Sequence, residues 1–327
     1  MFRPSRSALL MTTIALTAGF VAVPQAAYAA GTTALSATEM VAALEAVSTT
    51  STAASQGGWK ATMSAVRGSM TYSSLYVVDA GHGVVMDQSD FGTGPVAAYA
   101  AAGRGTYTYI AYSKNMRAAV RMMGRPAVRY MFRSQPTLNL DDYVDATGPT
   151  PAKVLTDDPA HAGTKTVQDD GSTDYTYTDD DGNTFTMQVD PAGALTDVQV
   201  TSTGLSATLT YTYGAQQATL PAASVTIGEK ALSQAVTYLT MPAAVKKVAS
   251  DGAAEAVRTA GGRTLKVAAL RAAVRYWATV TNTRAGTRMI KLADVSRGVR
   301  VYATNPWTRK TVAYTVKASG TKAVVRG

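Results

Sequence analysis

The sequence predicts an α+β protein in which a curved antiparallel sheet lies under a helical lid and a smaller α+β unit follows. Three observations lead there. Segments between Trp59 and Tyr213 alternate apolar and polar residues with period two; a capped helical stripe precedes them; and near Pro221 to Ile227 both the periodicity and the charge balance change.

The chain of 327 residues opens with Arg3 and Arg6, an apolar stretch from Ala8 to Val23, Pro24 and the small-residue pattern Ala27-Tyr28-Ala29. This is the pattern of a secretory signal peptide, residues 1–29, cut between Ala29 and Ala30. No later apolar run approaches the roughly 20 residues of a membrane span, so the expectation is a secreted, extracellular protein, retained at the cell envelope at most and not membrane-spanning. The absence of cysteine excludes thiol catalysis, disulfides and thiolate metal sites, and it removes the acylated cysteine of a bacterial lipoprotein. A hydrophobic core must then supply the stability.

After the leader, Ser36-Ala37-Thr38-Glu39 has capping-box spacing, and Met40, Leu44 and Val47 recur on one face of a helix over 36–48. The polar, glycine-ended stretch Ser48 to Gly58 follows it. The period then becomes two. Trp59, Ala61, Met63 and Ala65 alternate with Lys60, Thr62 and Ser64, and Met70, Tyr72, Tyr76 and Val78 line one side of the next strand. A strand over Thr106 to Tyr112 precedes a helix over Ser113 to Met123, with Met116, Val120 and Met123 at helical spacing and Arg125-Pro126 closing it. A short strand, Val128 to Phe132, and a polar segment with Asp141 and Asp142 lead to Pro149 and Pro151.

The clearest pattern spans residues 173–221. Tyr175 and Tyr177, the turn Asp179-Asp180-Asp181-Gly182-Asn183, and Phe185, Met187 and Val189 alternating with Thr184, Thr186 and Gln188 make a hairpin. Asp190-Pro191-Ala192-Gly193 turns the chain into Leu195 to Thr201, and Ala207, Leu209, Tyr211 and Tyr213 alternate with threonines before Gly214. Such a sheet must bury its apolar face, and the covers this reading offers are the helices at 36–48 and 113–123.

The run YTYTDDDGNTFTMQVDPAGALTDVQVTSTGLSATLTYTYGAQQATLP, residues 175–221, resembles the closing strands of LolA-like carriers and of the actinobacterial LppX and LprG lipoproteins. The opening helix and the strands from Trp59 fit the same pattern, so the resemblance covers about residues 30–224. It rests on an order of strands and turns, not on a catalytic motif. It implies a half-open β-barrel with a helical lid that holds acyl chains or lipidated molecules between sheet and lid. The chain departs from LppX and LprG in lacking their lipobox cysteine and in carrying an additional basic module.

That module, residues 225–327, holds 18 Lys+Arg against 4 Asp+Glu, a balance of +14, whereas residues 31–224 hold 11 against 18, or −7; with Arg3 and Arg6 these give the formal +9. A field of this sign suits an anionic cell-envelope surface and weakens with salt. Export and the lack of any finger, helix-turn-helix or RNA-recognition signature argue against nucleic acid. Leu232, Val236 and Leu239 form a helical stripe ended by Pro242, helix continues through Val257, and Val267, Leu270, Val274 and Trp277 repeat the spacing. Strands are expected over Trp277 to Thr281, Val299 to Ala303 and Val312 to Val316, giving a small α+β domain. A LolA-like domain followed by a smaller one is similar in architecture to RseB-type regulators, which implies a protein-interaction role as the alternative.

Catalytic constellations are weak. Neither His82 nor His161 lies near a GxSxG elbow, and His82 in Ala80-Gly81-His82-Gly83 reads as a turn. His161 beside Asp157 and Asp158 lacks HExxH spacing, the Asp-rich turns are too exposed to tune a glycosidase carboxyl, and Asp179, Asp181 and Asn183 lack the closing glutamate of a calcium loop. The expectation is therefore a non-enzymatic protein without cofactor or metal. Its methionines, Met63, Met70, Met86, Met116, Met122, Met123, Met131 and Met187, suit a surface that accepts variable alkyl chains, and they suit an ordinary core equally well. Candidates for an apolar cavity are Trp59, Met63, Met70, Tyr72, Met116, Val120, Met123, Phe185, Met187, Leu209 and Tyr211; Lys114, Arg117 and Arg121, spaced three and four apart on one helix face, are candidates for a headgroup or anionic surface.

Overall fold

The computed structural model describes residues 31–156 and 160–327. The expected signal peptide, 1–29, and the pair Asp157 and Asp158 lie outside the described residues. In chain order the elements are β1 (Gly31–Leu35), α1 (Ala37–Ser55), β2 (Trp59–Arg67), β3 (Met70–Asp79), β4 (Val84–Asp90), β5 (Val96–Ala101), β6 (Gly105–Tyr109), α2 (Lys114–Met122), β7 (Tyr130–Ser134), α3 (Leu140–Thr147) and α4 (Pro151–Thr156). There follow β8 (Gly163–Val167), β9 (Thr173–Thr178), β10 (Thr184–Val189), β11 (Leu195–Ser202), β12 (Leu205–Tyr213), β13 (Thr226–Gly228), α5 (Glu229–Leu239), α6 (Met241–Ala260), α7 (Val267–Ala285), β14 (Lys291–Val295), β15 (Gly298–Thr304), β16 (Thr311–Ser319) and β17 (Lys322–Arg326).

These build a large curved sheet of 13 strands, ordered β1-β8-β9-β10-β11-β12-β2-β3-β4-β5-β6-β7-β13, and a separate four-stranded sheet, β14-β15-β16-β17. The first is antiparallel throughout except where β13 joins β7 in parallel. The period-two segments occupy its middle, where β12 pairs β2 and β2 pairs β3 over their full lengths. β4 and β5 escaped the sequence reading because VVMDQSD and VAAYAA do not alternate cleanly.

Helix α1 begins at the expected capping box, with Ser36 N–H donating to Glu39 Oε2 at 2.8 Å and Glu39 N–H to Ser36 Oγ at 3.4 Å. It continues past the expected end at residue 48. The hydroxyls of Thr49, Thr50, Ser51, Thr52 and Ser55 each donate to the carbonyl four residues back, so a stretch of modest helix propensity satisfies its polar side chains along the helix. Met40, Leu44 and Val47 of α1, with Val144 of α3 and Leu155 of α4, cover one face of the sheet and bury Trp59, Tyr76, Tyr175, Met187, Val198 and Tyr211.

The helix at 113–123 does not join this cover. Its apolar residues Ala119 and Val120 pack with Ile110, Val128, Ile227, Leu232 and Ala235 in a cluster of their own. The reason is non-local: β13 extends the sheet beyond β7, and the chain then runs directly into α5, which lies against α2. The first sheet thus takes in β13, while the second core is built from Tyr238 of α5, from α6 and α7 and from the small sheet.

In that second core α6 and α7 pack on one face of the small sheet through Val245, Val248, Leu270, Val274, Val299, Val301 and Val316. Residues 277–281, expected as strand, are helical, because α7 runs on to Ala285 and stops at Gly286 in the left-handed conformation (φ 60°). Pro242 opens α6 in the first helical turn, where its missing N–H costs nothing. Met122 and Trp307 pack against both neighbouring clusters, and Tyr238 meets Trp307 edge-on at 5.5 Å. Among the described residues no helix is long and apolar enough to cross a membrane.

Candidate functional site

Strand register decides which expected residues share a face. Across β12, β2 and β3, Tyr213, Trp59 and Val78 stand in one row, Tyr211, Ala61 and Tyr76 in the next, then Leu209, Met63 and Ser74, then Ala207, Ala65 and Tyr72. In the other direction Leu209 pairs Val198, which pairs Met187, and Ala207 pairs Val200, which pairs Phe185. Trp59, Met63, Tyr72, Phe185, Met187, Leu209 and Tyr211 therefore lie on the face that the helices partly cover. Met70 has the same parity at the outer end of β3 and is 68% exposed.

The covered end of this face is filled by side chains. Trp59 stacks on Tyr76 with centroids 5.4 Å apart and leans on Tyr211 at 6.0 Å. The tyrosine hydroxyls reach the chain above: Tyr76 meets Thr147 Oγ1 at 3.0 Å, and Tyr211 donates to the Pro149 carbonyl at 2.8 Å. Burial pushes both phenols above their ordinary pKa, so they remain neutral hydrogen-bonding groups. A small hollow of about 100 Å³ remains between α1 and α4, lined by Met40, Leu44, Leu155 and Tyr177.

Beyond Pro149 the cover ends and space opens. A hollow of about 350 Å³ is lined by Ala61, Met63, Tyr72, Tyr76, Pro149 and Leu209 and by the polar side chains of Ser74, Asp87, Ser89 and Thr147. Met63, Tyr72 and Leu209 are half-buried there. At the rim Tyr72 packs on Phe91, centroids 4.7 Å apart, and Phe91 is 71% exposed. The floor carries the carboxyl of Asp87, whose pKa burial raises from its ordinary value. A second, larger hollow of about 570 Å³ lies at the opposite end of the cover, between Thr52 of α1, its capping residue Gln56, Trp59, Val78, Val144 and Pro151.

The remaining candidates lie elsewhere. Met116 and Met123 pack around the α2–α5 cluster, to which the buried Val120 belongs. That cluster holds Met122 and Met131 too, and Met86 pairs with Val77, on the opposite face of the sheet from Val78 and Val85. Lys114, Arg117 and Arg121 are exposed on α2, and the two arginines share a hollow of about 360 Å³ with Tyr109, Tyr112 and Arg129. These residues share helical periodicity, but the partner of their helix is α5.

The structure adds residues that the sequence reading missed. Asp87 belongs to β4, whose strand character was not recognised; its parity with Val85 would have placed a carboxyl on the inner face. Asp79, buried at the end of β3, accepts from the N–H of Ala218 at 3.1 Å and from His82 through its N–H at 3.1 Å and Nδ1 at 2.9 Å. Burial alone would raise its pKa. The Ala218 N–H, the His82 side chain and the His82 N–H outweigh that and hold it below the usual range. Asp179 is occupied as the acceptor for the N–H groups of Asp181 and Asn183 and for Asn183 Nδ2, which makes it a turn residue.

The fold and this face define an α+β protein with a partly covered apolar sheet surface. No protein-family model matches the chain, and no curated protein matches it.

Proposed function

We propose that the protein is a secreted, non-enzymatic carrier or sensor in the manner of LolA-like proteins, holding an acyl chain or a lipidated molecule on the inner face of the large sheet, while the basic C-terminal part meets an anionic envelope surface. One observation carries the reading: the inner face of the sheet continues out from under the helices through Met63, Leu209 and Tyr72 into a hollow of about 350 Å³ and ends at an exposed aromatic rim. The hollow's lining is mixed: Met63, Pro149 and Leu209 offer apolar contact to a chain, and Ser74, Asp87, Ser89 and Thr147 offer polar groups that would orient its head, the combination a small-ligand site uses. The lid of this reading is the cover formed by α1, α3 and α4.

Native mass spectrometry of the protein from its own host, followed by organic extraction, tests for retained ligand. A fluorescent acyl probe then tests the place. Leu209→Glu puts a charge into the hollow and is expected to weaken the probe at least tenfold, whereas Val66→Glu, on the opposite face and 48% exposed, leaves it unchanged. Equal effects of the two, or no probe uptake by a protein that also carries no ligand, would refute the carrier reading.

The filling of the covered end by Trp59, Tyr76 and Tyr211 favours a second reading, an RseB-like interaction module in which the exposed strip docks a protein partner without lipid. Crosslinking from Phe91 in the native host separates the two.

A further inference from the structure

The small sheet has two faces of opposite character. Register sets Lys291, Arg300, Lys317, Lys322 and Arg326 on one side of the pleat, because Arg300 pairs Thr315, which pairs Arg326, and Gly298 pairs Lys317. Every one of these cations is exposed. The other side carries Val299, Val301 and Val316 against α6 and α7. Arg297, in the β14–β15 turn, adds a further cation at the edge. Among the described residues of this sheet no acidic side chain stands on the cationic side: Asp294 has the parity of Val299 and is held by Arg271 at 3.4 Å and Arg275 at 3.5 Å. None of the face's cations forms a salt bridge with a described residue.

We propose that this solvent face binds a linear, phosphate-rich polyanion. The inference rests on the C-terminal half of the proposed function and is independent of the acyl hollow. The face is not flat: a hollow of about 470 Å³ is bounded by Arg297, Thr315, Lys317, Ser319 and Arg326. Besides Ala318 and Val324, its side-chain groups are guanidinium, ammonium and hydroxyl, which hydrogen-bond to phosphate oxygens. Strands about 4.8 Å apart hold such groups in rows, so a chain of anions meets several at once, each displacing condensed counterions. A bilayer fits less well, since the large apolar side chain exposed on this face is Val324, and the face's aromatic, Tyr302, is half-buried with the Arg300 guanidinium over its ring at 5.4 Å.

The test measures binding of inorganic polyphosphate to the purified protein against salt concentration. Neutralising the face with Arg300→Gln, Lys317→Gln and Arg326→Gln is expected to weaken binding at least tenfold and to reduce the log–log salt slope by about 2, at roughly 0.7 per lost contact. Removing equal charge elsewhere, with Lys246→Gln, Arg284→Gln and Arg288→Gln, leaves both within twofold. All six are surface positions, so far-UV spectra and denaturation midpoints are expected to stay at the parent values, and the acyl probe reports separately on the other site. Equal losses from the two triple variants would show diffuse charge in place of a site. Binding to phosphatidylglycerol vesicles without binding to polyphosphate would overturn the polymer in favour of a membrane surface.

Discussion

Ser51→Ala removes one oxygen from the contact that fastens α1 to the sheet. Ser51 is fully buried; its hydroxyl donates to the Val47 carbonyl at 2.7 Å and accepts from the Leu195 N–H at 2.9 Å. Leu195 opens β11 in an equally buried position, so the substitution strands its N–H where water does not reach. A buried unsatisfied donor costs about 1–3 kcal/mol. Alanine returns about 0.5 kcal/mol through helix propensity, leaving a net loss of about 0.5–2.5 kcal/mol. The exposed Thr52→Ala, which also removes a hydroxyl bonded four residues back, is the control and is expected to fall within about 0.5 kcal/mol of the parent. Urea denaturation measures both, with an unchanged slope showing that the compactness of the end states is preserved. If Ser51→Ala is as stable as Thr52→Ala while α1 keeps its position, the hydroxyl does not fasten the helix and the reasoning fails.

Two further predictions concern carboxyls with opposite shifts. Asp79, held below the usual range, contributes stability that is complete above its unfolded pKa near 3.8 and is lost as pH falls through the lower folded value. Asp79→Ala is expected to cost about 1–3 kcal/mol at pH 7 by freeing the Ala218 N–H, and this deficit shrinks below about pH 4; a deficit constant from pH 7 to pH 2.5 would contradict the role of its charge. Asp87 is shifted upward by burial, so the folded protein binds its proton more tightly and stability falls as pH rises from 3.8 through the raised value. Asp87→Asn is therefore expected to raise the urea midpoint at neutral pH and to leave it unchanged at pH 3, and a lower midpoint at pH 7 would show that the carboxylate is stabilised by an interaction of its own.

The elements whose signal is local were legible in the sequence. Ser36 and Glu39 cap α1 with their own backbone, and the alternation at Trp59–Ala65 and Thr184–Val189 states which side chains share a face before any partner strand is known. The inner-face candidates on β2, β3, β10 and β12 follow from that parity. By contrast, Met116, Val120 and Met123 show the same apolar stripe whichever neighbour covers it, and the residues that do, Ile227, Leu232 and Ala235, are more than a hundred positions further along. Trp277 failed for a related reason: the segment 277–281 alternates as a strand would, but the helix already propagating from Val267 continues through it, at the small cost of each added turn.

By itself, then, the sequence determined the character of this protein: an α+β pattern without cysteine, an apolar-faced sheet, and a basic final third. Tertiary structure alone decided what those faces meet. The parallel pairing of β13 with β7 drew α2 away from the sheet, the end of the cover at Pro149 left Met63, Tyr72 and Leu209 beside an open hollow, and the register of β14, β15, β16 and β17 aligned cations between Lys291 and Arg326 on one surface. Periodicity fixes the faces of an element from neighbours a few residues away. The choice of partner depends on the summed packing of residues far apart in the chain, and it appears only when the whole fold is assembled.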